Sequence, residues 1–258
     1  MLKLIINTVF QYILPSKTYL KLLILKRGFE EPELKLVYDF CDKDSISIDV
    51  GAANGMYLAH LYKLSKKTYA FEPRKKALQS LKKMFFGITS SIQFEEVALS
   101  DVSGSRNLRV LKSNDRLSTI EEENTIEKFG EVEEVTVLVK RIDDYDFTDK
   151  VSFIKIDVEG HEESVIKGAL GLIKRDHPTL LIEIEDRHKK DSVNVIKTLL
   201  QELNYEGFFY MDGFLHKLDA FNIQEHHQYT KHGQPYIFNF IYLHTGSIEK
   251  FGYLLKKC

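Results

Sequence analysis

The chain has 258 residues, 43% of them apolar, enough to bury a substantial core and between the sizes usual for one domain and for two. Its 36 basic and 38 acidic side chains give a formal net charge of −2, so no chain-wide positive field favours a phosphate backbone, and nucleic acid is not the expected substrate. Cys41 and Cys258 form neither a metal pattern nor a disulfide framework, which fits a reducing, cytoplasmic setting, and no apolar run reaches the ~18 residues that span a bilayer.

Met1 to Leu14 is apolar but interrupted by Lys3, Asn7, Thr8 and Gln11, and residues 1–27 carry five basic side chains and no acidic one. Two readings fit: a helical lid packed on the domain that follows, or an amphipathic helix lying on anionic lipid. The small-residue cleavage site of a signal peptide is missing. Residues 1–40 are therefore expected to be a helical extension, ahead of a main domain over 41–258. Ile46–Val50 predicts a strand, Met56–Leu64 a helix and Lys67–Phe71 a second strand. Pro73 opens a helix that runs through Met84 with Leu78 and Leu81 on its apolar stripe, and Ile92–Leu99 is strand-like. This β-α-β-α-β order places helices on both faces of a mostly parallel sheet.

Between about 100 and 140 the pattern loosens into polar turns around Gly104, a serine- and acid-rich stretch at Asn114–Glu127 and an alternating strand at Glu134–Val139. Such a variable insert belongs to the functional rim of a scaffold. The sheet resumes at Val151–Ile156, followed by a helix at Glu162–Lys174, a strand at Thr179–Ile184 and a helix at Ser192–Glu202. Gly207–Met211, a turn at Asp212–Gly213 and Tyr236–Tyr242 read as late strands completing an antiparallel edge.

Three groups of residues carry chemistry. Gly51 and Gly55 bracket Ala-Ala-Asn directly after a strand, and Ala53 stands where a dinucleotide fingerprint has its middle glycine, which favours a ligand without a pyrophosphate. Glu72, at the end of the next strand, can accept both ribose hydroxyls, and Asp49 can orient the turn or meet a positive ligand group. The second group is Lys155-Ile-Asp157-Val-Glu159-Gly160-His161-Glu162. Alternation points Lys155, Asp157 and Glu159 to one side if the extended geometry persists. They serve either as a Lys155–Asp157 salt bridge with a capping acid, or in catalysis, with His161 as a further candidate base. Glu183 and Glu185, ending a third strand, join the same candidate pocket. Carboxylates gathered there could hold a divalent cation, bind an amine or accept a proton from an alcohol; no resident metal is expected, and a metal would fall to Asp157 and Glu183. His226, His227 and His232 lack zinc-site spacing and read as a solvated loop, and the strand aromatics Phe208, Phe209 and Tyr210 as core, with Phe214 and Tyr229 nearby.

The blocks D-V-G-A-A-N-G-M-Y at 49–57, F-E-P at 71–73, V-A-L-S-D-V-S-G at 97–104, I-K-I-D-V-E-G-H-E at 154–162, V-I-K-G-A at 165–169 and L-L-I-E-I-E at 180–185 together resemble the FkbM-type S-adenosylmethionine-dependent methyltransferases. The resemblance implies an α/β, class I methyltransferase (Rossmann-like) fold, a seven-stranded sheet with one antiparallel strand. It also implies S-adenosyl-L-methionine as cofactor and methyl transfer to a hydroxyl of a sugar, glycan or related small molecule. By that resemblance Asp49, Gly51, Ala53, Asn54 and Gly55 form the cofactor turn, Glu72 takes the ribose, and Val97, Ala98 and Leu99 border the adenine. Asp157, Glu159 and His161 fall on the acceptor side as the candidate catalytic residues, while the first 40 residues and the 105–130 region set substrate choice. Two rival readings remain. An NAD(P)-dependent oxidoreductase would share Glu72 but favour glycine at position 53, and a catalytically inactive binding domain would keep the fold without a cofactor.

Overall fold

The computed structural model describes residues 31–115, 117–227 and 236–256, with Ser16, Thr18, Leu20, Leu22 and Ile24 of the preceding segment. Most of residues 1–27, together with Tyr229 and His232, lie outside the described residues. Strand β1 (Ile46–Val50) is buried along its whole length, because parallel partners flank it and helices cover it. It pairs with β2 (Lys67–Phe71) on one side and β8 (Val151–Ile156) on the other. β3 (Ile92–Glu95) extends the sheet beyond β2, and β9 (Thr179–Glu183) extends it beyond β8. β12 (Asn239–His244) runs antiparallel between β9 and β10 (Tyr205–Met211). An eighth strand, β11 (Phe214–Lys217), adds an edge to the seven expected. It is reached through Asp212 and Gly213, both at positive φ, as a tight hairpin turn requires.

Alternate side chains of the central strands feed two layers. Ile48, Ile154 and Ile156 pack with Val165, Ile173 and Ile196 from the helices Glu162–Lys167, Leu170–Asp176 and Ser192–Gln201. Phe153 and Leu181 pack on the opposite face with Phe40 and Leu61, from the short helix Val37–Phe40 and the helix Leu58–Leu64. A third cluster joins Leu20 to Leu58, Leu81 and Phe85, seating part of the leading segment against the helix Lys75–Met84. Among the described residues no helix is long and apolar enough to cross a membrane.

Residues 98–140 form a second sheet of β4 (Ala98–Leu99), β5 (Gly104–Leu111), β6 (Ser118–Thr119) and β7 (Val132–Lys140), in the order β4-β7-β5-β6. The single strand expected over Ile92–Leu99 thus breaks at Glu96–Val97, where the chain leaves one sheet for the other. The region around Gly104 is an eight-residue strand rather than polar turns; only Leu108, Val110 and Leu111 are buried there, so alternation is faint. The helix expected over Glu162–Lys174 divides at Gly168–Ala169. A Cβ on Gly168 would stand 1.9 Å from the Ser100 carbonyl oxygen, so the backbones touch at that break.

Candidate active site

The C-terminal ends of β1, β2 and β8 converge on a cavity of about 270 Å³. Open α/β sheets place ligands at this end of the strands. The turn after β1 is held in shape by the Gly51 and Ala52 N–H groups, which donate to the Phe71 carbonyl at 3.0 and 3.1 Å. Gly51 has φ +78°, and a Cβ there would lie 1.9 Å from the Asp157 carbonyl oxygen, so only glycine fits. Ala53 occupies φ +42°, the left-handed position for which glycine is the usual choice, and its N–H donates to Glu72 Oε2 at 2.9 Å. Asn54 Oδ1 accepts from the Met56 N–H at 3.1 Å.

Gly51, Ala53, Asn54, Glu72 and Ala98 line the cavity. Asp49 and Gly55, read from sequence as part of the same turn, do not. Gly55 packs the turn on the helix Lys75–Met84, where a Cβ would meet Leu81 Cδ2 at 2.7 Å. Asp49 is 2% exposed beside Lys155 in the β1–β8 register. Burial pushes its carboxyl up to about 7 against the pull of Lys155, and its Oδ2 has no hydrogen-bond partner.

Glu72 is fully engaged. Oε1 accepts from the Arg74 N–H (2.9 Å) and Nε (2.8 Å), while Oε2 accepts from Ala53 N–H and Arg74 Nη2 (2.8 Å). A carboxylate offers about four acceptor positions, and these four bonds fill them. Arg74 also donates from Nη1 to the Asp115 carbonyl, tying Glu72 to the β5–β6 connection.

On the opposing segment β8 ends at Ile156, and Glu159 (φ +53°) and Gly160 (φ +103°) turn the chain, so the alternation expected through Glu159 stops. Lys155 is buried and forms no salt bridge with Asp157, one of the two readings of this run. Its Nζ donates to Asn239 Oδ1 at 3.0 Å, stands 3.9 Å from Glu183 Oε2 and lies over the Tyr57 ring at 5.0 Å. Asp157 lines the cavity; burial raises its carboxyl above the usual range, with Lys155 opposing. Burial also raises Glu183. Glu183 and Glu185 do not line the cavity. Glu185 is instead held by Arg187 Nε at 2.7 Å and by the Tyr236 hydroxyl.

Glu159 and His161 line the same cavity. The Glu159 carbonyl accepts from Thr119 Oγ1 at 2.9 Å and Asn124 Nδ2 at 2.8 Å, so the second sheet grips the acidic loop. Its carboxylate lies 2.9 Å from His188 Nε2. Burial lowers the His188 imidazole, but Glu159 outweighs it and the net shift is upward. His161 has both ring nitrogens occupied, by Ser100 Oγ at 2.8 Å and Glu121 Oε2 at 3.3 Å.

Glu31, Thr119, Asn124 and His188 were not singled out from the sequence. Glu31 reaches the cavity from the extension, accepting from the Tyr57 hydroxyl (2.6 Å) and Asn239 Nδ2 (2.8 Å). Only His188 left a local signal, three residues beyond the Glu183–Glu185 acid pair. The expected solvated loop at His226 and His227 is a partly buried aromatic cluster with Phe221, Tyr236 and Phe240. Phe208 and Phe209 are core, whereas Phe214 on the β11 edge is exposed. Among the described residues no three His, Cys, Asp or Glu side chains gather as metal ligands.

Among solved structures, methyltransferase FkbM from Methylobacillus flagellatus is 18% identical, with a TM-score of 0.50 over 80% of this chain and 47% of its own. The chain thus spans about half the length of that relative. An rRNA methylase from Streptococcus thermophilus is 14% identical (TM-score 0.45; 82% of this chain, 93% of its own), and a SAM-dependent methyltransferase from Aquifex aeolicus is 15% identical (TM-score 0.41; 89% and 98%). No curated protein matches the chain. The methyltransferase FkbM domain matches residues 49–210, well over half of the sequence, and the chain belongs to the FkbM methyltransferase family.

Proposed function

We propose that this chain is an S-adenosylmethionine-dependent O-methyltransferase acting on a hydroxyl of a neutral, hydroxyl-rich small molecule such as a sugar or glycan. The observation that carries the reading is the meeting, in one cavity, of Glu72 and the Gly51–Asn54 turn with the carboxylates of Asp157 and Glu159. The residues present fit the cofactor. Glu72 suits ribose hydroxyls once Arg74 yields, Val97, Ala98 and Leu99 offer an apolar wall for adenine, and Asp49 leaves a buried oxygen without a partner beneath the turn. When bound, the cofactor supplies an electrophilic methyl group on a sulfonium.

Asp157 is the base in this reading. Its raised carboxyl remains ionised near neutrality yet holds a proton more strongly than an exposed aspartate, as suits proton removal from an alcohol. Lys155, anchored on Asn239, keeps that carboxylate from being neutral throughout. His161, with both nitrogens held, orients the loop rather than taking the proton. The ammonium of Lys155 beside Glu183 stands where a metal bridging Asp157 and Glu183 would have to compete.

Glu31, Asp157 and Glu159 make the acceptor side acidic, which disfavours phosphorylated acceptors and supports a neutral one. The extension, through Glu31, and the second sheet, through Thr119 and Ile120, shape that side and so set substrate choice. Isothermal titration with S-adenosylmethionine and S-adenosylhomocysteine tests the cofactor, and radiolabelled methyl transfer to a panel of hydroxylated glycans tests the acceptor. Heat only with a nicotinamide dinucleotide, or with no nucleoside ligand, overturns the reading in favour of an oxidoreductase or an inactive binding domain.

A further inference from the structure

The helix Lys75–Met84 exposes Lys75, Lys76, Lys82 and Lys83, while Leu78 and Leu81 face the core. From Pro73 to Phe94 there are five basic residues and no acidic one. Residues 1–27 add five more basic residues, again without an acid. Leu20 of that stretch is buried in one cluster with Leu81 and Phe85, beside the helix. Outside these two stretches the chain has an acidic excess, so the exposed face of the helix is a locally basic flank on a protein of net charge −2.

The flank also shows apolar side chains to solvent. Phe86, directly after the helix, is 80% exposed beside Gly87 at φ +78°, and Leu22 on the neighbouring segment is 48% exposed. Lysines around an exposed aromatic side chain suit a surface that is anionic outside and apolar within. They draw the face to acidic headgroups while the ring enters the boundary of the acyl chains. We propose that this flank docks the protein on an anionic lipid surface. The helix starts next to Arg74, which lines the cavity, so docking sets the mouth of the site beside the bilayer. The inference rests on surface charge and exposure and holds whichever acceptor the cavity takes.

Co-sedimentation of the full chain with phosphatidylcholine vesicles, with and without phosphatidylglycerol, tests it at low and high salt. Partitioning to the anionic vesicles alone, falling steeply as salt is raised, is the expected result. The variant carrying K75Q, K76Q, K82Q and K83Q should lose about a hundredfold in partitioning. Phe86→Ser should weaken it further without changing the salt dependence. None of these side chains lines the cavity, so cofactor titration reports whether the variants are folded. Equal partitioning on neutral vesicles, none on anionic ones, or an undiminished quadruple variant overturns the proposal. So does displacement from anionic vesicles by a nucleic-acid duplex at equal phosphate, which would reassign the flank to nucleic acid.

Discussion

Gly51 and Asp157 are in direct backbone contact: a methyl group on residue 51 would stand 1.9 Å from the Asp157 carbonyl oxygen. The glycine turn after β1 and the acid-bearing loop after β8 therefore share one surface. Asp157 N–H also donates to the Val50 carbonyl at 3.0 Å. Gly51→Ala combines a side chain at positive φ with this clash and is expected to cost about 2–4 kcal/mol. Urea denaturation reads the loss; an unchanged midpoint would mean the turn can retreat from Asp157 without penalty.

In the proposed site Arg74 competes for the Glu72 oxygens that a ribose would use. Arg74→Ala should leave cofactor affinity equal or tighter by about threefold, whereas Glu72→Gln should weaken it about tenfold by discarding a charged acceptor. Glu72→Ala would also release the Ala53 N–H and so destabilise the turn. Calorimetric titration of the two single variants separates the roles, and weaker binding by Arg74→Ala would make the guanidinium a ligand instead of a rival.

The proposed role of Asp157 as base carries a pH signature. Its carboxyl, pushed up to about 6, must be ionised to accept a proton, so kcat/KM should rise as pH increases through that value and level off above it. Asp157→Asn should lose about a thousandfold in kcat with cofactor affinity kept. A variant that retains the acid limb would assign it to another group, with Glu159 the first candidate.

The grip of Asn124 and Thr119 on the Glu159 carbonyl can be loosened without touching a cavity carboxylate. Asn124→Ala is expected to lower kcat about tenfold through misplacement of the loop, with little change in cofactor affinity. Single-turnover kinetics beside titration would show it, and equal losses in both would indicate general unfolding.

Stability should also depend on pH through Glu33, which is 6% exposed with Oε2 lacking a partner. Burial lifts its carboxyl to about 7 from an ordinary 4.5, so the folded state binds the proton more tightly than the unfolded one. That contribution is complete below about 4.5 and is lost as pH rises to about 7. Glu33→Gln should therefore stabilise the protein by about 1–3 kcal/mol near pH 8 and change little near pH 5. Thermal melts across that range test the sign.

The parallel half of the main sheet was legible because Ile46–Val50, Lys67–Phe71 and Val151–Ile156 are short runs rich in β-branched or aromatic residues, ended by acids or glycine. Of the second sheet only β7 was, through the alternation of Glu134–Val139. β5 presents Ser105, Arg106 and Asn107 to solvent, and the two-residue strands β4 and β6, paired with β7 and β5, leave no periodicity to read. Gly51, Glu72, Asp157 and Glu159 stood out because each closes a strand or a glycine turn. Glu31 and Asn124 did not, since each reaches the site from far away in the chain and each sits among other polar residues with nothing local to mark it. His161 stood out for its chemistry, but no sequence could show that Ser100 and Glu121 occupy both its nitrogens.

β12 has a consequence for the order in which the molecule can mature. It lies between β9 and β10 although both precede it in the chain, so emergence of residues 239–244 from the ribosome is the step that closes the sheet. Until then Lys155 lacks the Asn239 oxygen on which it is anchored, and Glu31 lacks the Asn239 amide. The β1–β3 part of the sheet, within residues 46–95, can assemble early in synthesis. The anchoring of Lys155 and Glu31 waits for a strand made nearly two hundred residues after β1.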